Sequence, residues 1–214
     1  DHVLRCDDFI NTAASRRKPV IVRQEVSGLH FYDRNSGCHC LADELTTPRS
    51  EALQCGPRHL SIKLTERCNL NCDYCYAIAG YDDISLDLLK SICDAAKELH
   101  VFDVTIGGGE PTLHPLFNKI VDVMWNEYPF GISVTTNGLE LEPIRNLGNK
   151  NVQVRFSVDS RKKDHSLAEL REAFNAVPSG NIAINILYSP GSYKWIEKEL
   201  QLLSHFSIDS ILII

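Results

Sequence analysis

Residues 59–75 read His59-Leu60-Ser61-Ile62-Lys63-Leu64-Thr65-Glu66-Arg67-Cys68-Asn69-Leu70-Asn71-Cys72-Asp73-Tyr74-Cys75. Leu60, Ile62 and Leu64 alternate with Ser61 and Lys63, the period of a strand with one apolar and one polar face. A polar, turn-forming segment follows at once, and in it three thiols fall within eight residues, spaced C-x3-C-x2-C. A short loop can wrap such sulfurs around one object, and cysteine thiolates are the ligands of iron–sulfur clusters. Three ligands leave one iron without a protein donor, and an open coordination position marks a site that binds substrate. The spacing leaves two other readings open: zinc completed by a distant fourth ligand, or a thiol cluster that binds nothing.

Downstream of this segment, strand and helix periods take turns. Strands are predicted over 60–64, 101–106, 131–135, 152–158, 182–187 and 210–214. Between them, helical stripes run through Leu86, Leu89, Cys93, Ala96 and Leu99, and through Phe117, Ile120, Val121 and Met124. Leu167, Leu170 and Phe174 form another stripe, as do Ile196, Leu200, Leu203 and Phe206, while 139–147 supports only a short helix. Strands joined by helical crossovers imply a parallel α/β structure with right-handed connections. Strands covered on both faces are nearly continuous apolar runs. These are not, because Lys63, Thr105, Thr135, Arg155, Ser157 and Asn185 fall on one face. In a sheet curled into a barrel they would line a wet interior, unlike the packed interior of a closed eight-stranded barrel. In an open sheet they would face solvent.

Residues 1–58 read differently from 59–214, which sets the predicted domain boundary. Val20–Val26 and Leu29–Tyr32, with the turn signal Asp33-Arg34-Asn35-Ser36-Gly37, predict a small β-hairpin. Such an extension could receive a peptide by strand addition, contact a partner, or cover an open sheet edge.

The chain has 214 residues, 43% of them apolar and 23% charged, as ordinary globular domains do. A net charge of −6 argues against a nucleic-acid-binding surface, and no apolar run is long enough to span a bilayer. The sequence starts at Asp1 without a secretory signal or an initiating Met, as a trimmed or processed chain would. Eight cysteines without such a signal predict reduced thiols in a cytoplasmic setting. Cys93 lies on an apolar stripe and reads as core. Cys6, Cys38, Cys40 and Cys55 fit no metal spacing, and Cys38-His39-Cys40 reads as strand alternation.

The loop also carries a resemblance. C-x3-C-x2-C at Cys68, Cys72 and Cys75, after the first strand of a parallel α/β domain, resembles the signature of the radical S-adenosylmethionine (SAM) superfamily. Gly108-Gly109-Glu110-Pro111, closing the second strand, is similar to that family's GGE motif. Thr136-Asn137-Gly138 follows the third strand and Ser157-Val158-Asp159 closes the fourth, as in many members. The resemblance covers 59–214 and implies a partial (β/α)6 TIM-like barrel with a small N-terminal β-hairpin extension. It implies a 4Fe-4S cluster on Cys68, Cys72 and Cys75. It also implies SAM held by Tyr74 beside the adenine, by Gly108, Gly109 and Glu110 at the amino group, by Asn137, and by Ser157 and Asp159 at the ribose and carboxylate.

The implied reaction is reductive cleavage of SAM to a 5′-deoxyadenosyl radical that abstracts hydrogen from a substrate. Electrons would come from a donor such as a flavodoxin or ferredoxin. The radical-forming step needs no side-chain acid or nucleophile, so no catalytic side chain is assigned. Peptide modification is the first expectation and a small-metabolite substrate the second, with Lys63, Arg155 and Asn185 as candidate contacts. An iron–sulfur electron carrier, which needs four cysteine ligands, and a zinc-stabilised module are the rival classes. Two departures stand out: Ile182-Ala183-Ile184-Asn185-Ile186 lacks the family's glycine-bearing fifth-strand pattern, and the sixth strand closes the sequence, so no extension with auxiliary clusters is expected.

Each motif has a plainer role as well. The glycines could serve only a turn, Glu110 could be solvated, Tyr74 could pack the loop, Asp159 could cap a turn, and Arg161-Lys162-Lys163 could be a solvated loop.

Overall fold

Alternating apolar residues become strands at each predicted place, with ends shifted by no more than two residues. The computed structural model describes residues 20–25, 28–35, 37–42, 56–75, 77, 80–158, 167–187, 191 and 193–214. Its strands are β1 (Val20–Glu25), β2 (Gly28–Asp33), β3 (Cys38–Ala42), β4 (His59–Thr65), β5 (Asp103–Gly108), β6 (Gly131–Thr136), β7 (Gln153–Val158), β8 (Ile182–Ile186) and β9 (Ser210–Ile213). Its helices are α1 (Leu86–Glu98), α2 (Phe117–Glu127), α3 (Glu142–Arg145), α4 (Leu167–Asn175) and α5 (Tyr193–Leu203), with a 3-10 turn at Pro111–Leu113.

Six strands form one sheet in the order β4-β5-β6-β7-β8-β9, with a helix between each successive pair. The pairs β6–β7, β7–β8 and β8–β9 are parallel. The apolar face is packed: Ile62, Leu64, Val104, Ile106, Val134, Val154 and Ile184 are buried. The opposite face keeps Lys63 and Ser157 exposed and Thr105, Thr135, Arg155 and Asn185 half-buried, as the alternation predicts. At the sheet's edge β9 is exposed throughout.

The chain folds as two compact units that interleave along the sequence. One draws its described residues from 20–60, 85–104 and 123–131, the other from 61–84, 105–122 and 132–214.

In the first unit β1, β2 and β3 form an antiparallel sheet, so the predicted hairpin gains a third strand. The Asp33–Gly37 turn closes as expected: the Gly37 N–H donates to the Asp33 carbonyl at 2.8 Å. Gly37 has φ +67°, a conformation that glycine adopts without penalty. Ser85 caps α1 by accepting from the Leu88 N–H at 3.2 Å, and Leu89, Cys93 and Ala96 form the buried stripe. Cys93 is fully buried, as expected of a core residue, and burial pushes its thiol up to about 12. Leu99 continues the stripe in sequence but is exposed, because the helix has ended at Glu98. Cys40 is disulfide-bonded, against the expectation of reduced thiols, whereas Cys38 keeps its thiol. Cys6 and Cys55 lie outside the described residues.

Arg23 holds this unit together. Its side chain is 2% exposed and donates to the carbonyls of Gly56 (2.6 Å), Pro57 (2.8 Å), His100 (3.1 Å) and Leu99 (3.3 Å), and to Glu25 (3.1 Å). Glu25 also pairs with Arg58, which holds its carboxyl below the ordinary carboxylate range. A buried guanidinium is tolerated only when its donors are spent in this way. Arg23→Met removes the charge, leaves those carbonyls without a donor and leaves Glu25 with Arg58 alone. It should lower the unfolding free energy by about 3–5 kcal/mol, the cost of breaking a buried pair from one side, read from the urea midpoint.

Candidate functional site

The cysteine loop begins where β4 ends, and its two feet are pinned together. Thr65 is buried; its hydroxyl donates to Asp83 Oδ1 at 2.6 Å and accepts from the Arg67 N–H at 3.0 Å. The Arg67 guanidinium grips the same carboxylate, with Nε 3.1 Å from each oxygen and Nη2 3.0 Å from Oδ2. The Glu66 N–H donates to the Asp82 carbonyl at 2.9 Å, and the Gly80 N–H to the Glu66 carbonyl at 3.3 Å. A side chain at Gly80 would run into the Glu66 carboxylate. The hydrogen bonds from Arg67 and Thr65, in that order, hold the Asp83 carboxyl below its ordinary range.

The end of β5 clamps this loop through main-chain bonds. The Gly109 N–H donates to the Thr65 carbonyl at 2.8 Å and the Glu110 N–H to the Arg67 carbonyl at 2.7 Å. So close an approach excludes side chains. A Cβ on Gly108, whose φ is +130°, would sit 2.5 Å from the Thr65 carbonyl, and one on Gly109 would collide with that of Arg67. Close approach to a ligand is the expected reason for these glycines, but the loop's own backbone already requires two of them. Gly107, by contrast, faces open space.

Glu110 is not solvated. It is 1% exposed, and its Oε1 accepts from the Thr112 hydroxyl (2.7 Å), the Thr136 hydroxyl (2.8 Å) and the Thr112 N–H (3.2 Å). Its Oε2 accepts from the Asn137 N–H at 2.7 Å. The carboxylate therefore caps the 3-10 turn and ties the end of β5 to the end of β6. Asn137 completes the tie: its Nδ2 donates to Asn69 Oδ1 in the cysteine loop at 2.8 Å, while its Oδ1 accepts from the Leu139 N–H at 3.0 Å.

Cys68, Cys72 and Cys75 are free, with Cys72 half-buried and the other two exposed. The Cys75 N–H donates to the Cys72 carbonyl at 3.1 Å, and the Leu70 N–H approaches Cys68 Sγ at 3.4 Å. Burial raises the Cys68 thiol pKa, the Leu70 N–H opposes this, and the negative charges of Glu110, Cys72 and Cys75 raise it further. The thiols are thus within electrostatic reach of one another. Among the described residues, however, no three His, Cys, Asp or Glu side chains converge tightly enough to hold one metal ion. A single ion draws its thiolates to about 2.3 Å from one centre. A cluster takes each thiolate on a different iron, so its ligands stand farther apart. Three free thiols on one short loop, within electrostatic reach of one another, are the donor set such a group needs.

Of the other predicted residues, Tyr74 is 42% exposed on the loop and Ser157 is exposed at the end of β7. Asp159 and Arg161-Lys162-Lys163 lie outside the described residues. Thr65, Arg67, Asp83 and Thr112 support the site but carry no motif, while Asn69 and Thr136 lie within motifs that do not announce their supporting roles. For Thr65 and Arg67 the one signal is their position within three residues of Cys68.

The family model described as "Radical SAM superfamily" matches residues 62–188, more than half of the chain. The chain belongs to the radical SAM superfamily. Mycofactocin maturase MftC of Mycobacterium tuberculosis is 33% identical over 137 residues, covering 61% of this chain and 34% of the relative. A probable GTP 3′,8-cyclase of Methanothermobacter marburgensis is 35% identical over 105 residues, 45% of this chain and 34% of the relative. This radical SAM chain thus spans about a third of the length of these curated relatives. In fold it is similar to Streptococcus suis SuiB bound to precursor peptide SuiA, with a TM-score of 0.68 at 15% identity over 91% of this chain and 61% of that one.

Two predictions test the pinned loop. Asp83 has a lowered pKa, so its contribution is complete above the ordinary carboxylate range and is lost as pH falls through the lowered value. The protection factors of the Glu66 and Arg67 amides, with the intrinsic pH dependence of exchange divided out, should therefore fall on acidification, and Asp83→Asn should remove that pH dependence. Glu110→Gln replaces one acceptor oxygen with a donor among four inward-pointing donors. It should cost about 2–3 kcal/mol in urea unfolding.

Proposed function

We propose that this chain is a radical SAM enzyme that modifies a peptide. The carrying observation is that three free thiols stand on a loop whose feet are clamped by the GGE turn of β5. Cys68, Cys72 and Cys75 would hold a 4Fe-4S cluster with one iron left to SAM. When bound and reduced by a donor such as a flavodoxin or ferredoxin, the cluster supplies the electron that converts SAM to methionine and a 5′-deoxyadenosyl radical, which takes hydrogen from the substrate.

The protein's own part is placement and exclusion of water. Gly107 leaves room at the end of β5, and Gly108 and Gly109 bring that turn against the loop. The Glu110 carboxylate has spent Oε1 on three donors, which leaves Oε2, with a single donor, as the atom able to accept from the SAM amino group. Asn137 fixes the neighbouring turn to the loop, and Tyr74, Ser157 and Asp159 are assigned to the adenine, ribose and carboxylate. The six-stranded sheet is read as a partial (β/α)6 barrel with its polar face inward. Residues 1–58, with β1–β3, are read as a contact for substrate or partner.

A maturase among the relatives and a peptide-bound structure of the same fold support a peptide as substrate over a small metabolite. Among the described residues no helix is long and apolar enough to cross a membrane.

The test is anaerobic reconstitution with iron and sulfide, reduction by dithionite, and addition of SAM. A brown protein that releases 5′-deoxyadenosine is expected, and Cys72→Ala should abolish both colour and nucleoside. Colour without nucleoside would leave an electron carrier. A colourless protein holding stoichiometric zinc would leave a zinc module.

A further inference from the structure

On the polar face of the sheet stands a guanidinium with no counter-ion among the described residues. Arg155 is on β7 in register with Ala183 of β8, which is itself in register with Ser210 of β9. All three point to one side of the sheet, and the small Ala183 lets the arginine lie across β8. Its Nη2 donates to Gln153 Oε1 at 3.0 Å and to Ser210 Oγ at 3.3 Å, and its Nη1 donates to Asn185 Oδ1 at 3.3 Å. Gln153 is oriented in turn by its own donation to Asn181 at 3.3 Å.

Every acceptor is neutral. Among the described residues no carboxylate pairs with Arg155, and those three bonds leave two of the five N–H donors of a guanidinium unspent. Within the second unit no strand carries an acidic side chain, while Lys63 on the same face is already paired with Glu66 at 2.8 Å. Burial lowers the Arg155 pKa and no neighbouring negative charge raises it. A half-buried cation normally finds an anion. Here the side chain is fixed by amide and hydroxyl dipoles that orient it without neutralising it, the arrangement suited to binding an incoming planar anion through a fork of N–H groups.

We infer that Arg155, steered by Gln153, Asn185 and Ser210, is an anion-binding and specificity-determining residue that takes a carboxylate of the substrate on the polar face of the sheet. The inference rests on the radical-enzyme reading for the word substrate. The carboxylate site itself stands or falls on its own.

The test is an NMR titration of the reconstituted protein, following the Arg155 Nε–H resonance and the β7 and β8 amides. Succinate and an acetylated, amidated Ala-Asp-Ala peptide are compared with the neutral succinamide and Ala-Asn-Ala peptide. Saturable shifts with the acids alone are expected, and Arg155→Gln should weaken them by roughly tenfold or more. Arg155→Lys, which keeps the charge and the fold but loses the fork, should weaken them as well, and it stands alone if the glutamine variant does not fold. Tighter binding of the peptide identifies a side-chain carboxylate, and tighter binding of succinate a free acid; both support the site. Equal binding of acids and amides, or undiminished acid binding by both variants, overturns it. The same preparations are assayed for 5′-deoxyadenosine. Nucleoside release without carboxylate binding defeats this inference alone, and carboxylate binding without nucleoside defeats the radical reading while the anion site stands.

Discussion

Two main-chain hydrogen bonds, from Gly109 to the Thr65 carbonyl and from Glu110 to that of Arg67, fix where the cysteine loop starts. Backbone bonds of this kind form only if nothing intervenes, and so the turn at the end of β5 must be glycine at 108 and 109. The clamp places Glu110 beneath the loop. From there its carboxylate collects donors from the 3-10 turn and from the end of β6. One acidic residue thereby joins three consecutive strand ends, and a loop of small polar residues with little core of its own gains a defined position. The rest of the site is arranged around that fixed point.

The parts of this structure legible in the sequence are those that repeat or cluster locally. Alternation in Leu60–Leu64 and Val152–Val158 announces strands, since each residue's face follows from its neighbours two positions away. Cys68, Cys72 and Cys75 announce themselves by spacing. β3 was harder to see, because Cys38–Ala42 carries few large apolar residues and is fixed mainly by pairing with β2. The role of Glu110 was illegible for a different reason: its partners Thr136 and Asn137 lie 26 and 27 residues away, and no local pattern encodes that meeting. Leu200 shares a stripe with Ile196 and Leu203 yet stays exposed, since periodicity gives a face of a helix and not the extent of what covers it. The disulfide at Cys40 was likewise hidden, as cysteine spacing does not specify pairing.

The polar face shows how charge is handled in the second unit, whose strand residues include no acids. Lys63 finds Glu66 just beyond its own strand, a local solution that costs the sheet nothing. Arg155 in mid-strand has no such neighbour and is stabilised by dipoles from β7, β8 and β9. The sequence displays both cations equally; only the strand register separates the neutralised one from the one left charged.

The first unit has a topological consequence for anyone wishing to shorten the molecule. Phe102 meets His30 and His39 edge-on and Tyr32 at a tilt, and the carbonyls of Leu99 and His100 accept from Arg23, so stretches far apart in sequence complete one another. A fragment begun at residue 59 would bare an aromatic ring and leave the carbonyls of Leu99 and His100 without their donor. Trimming the leading residues is therefore an amputation through living tissue, and the convenient cloning boundary is not a folding boundary.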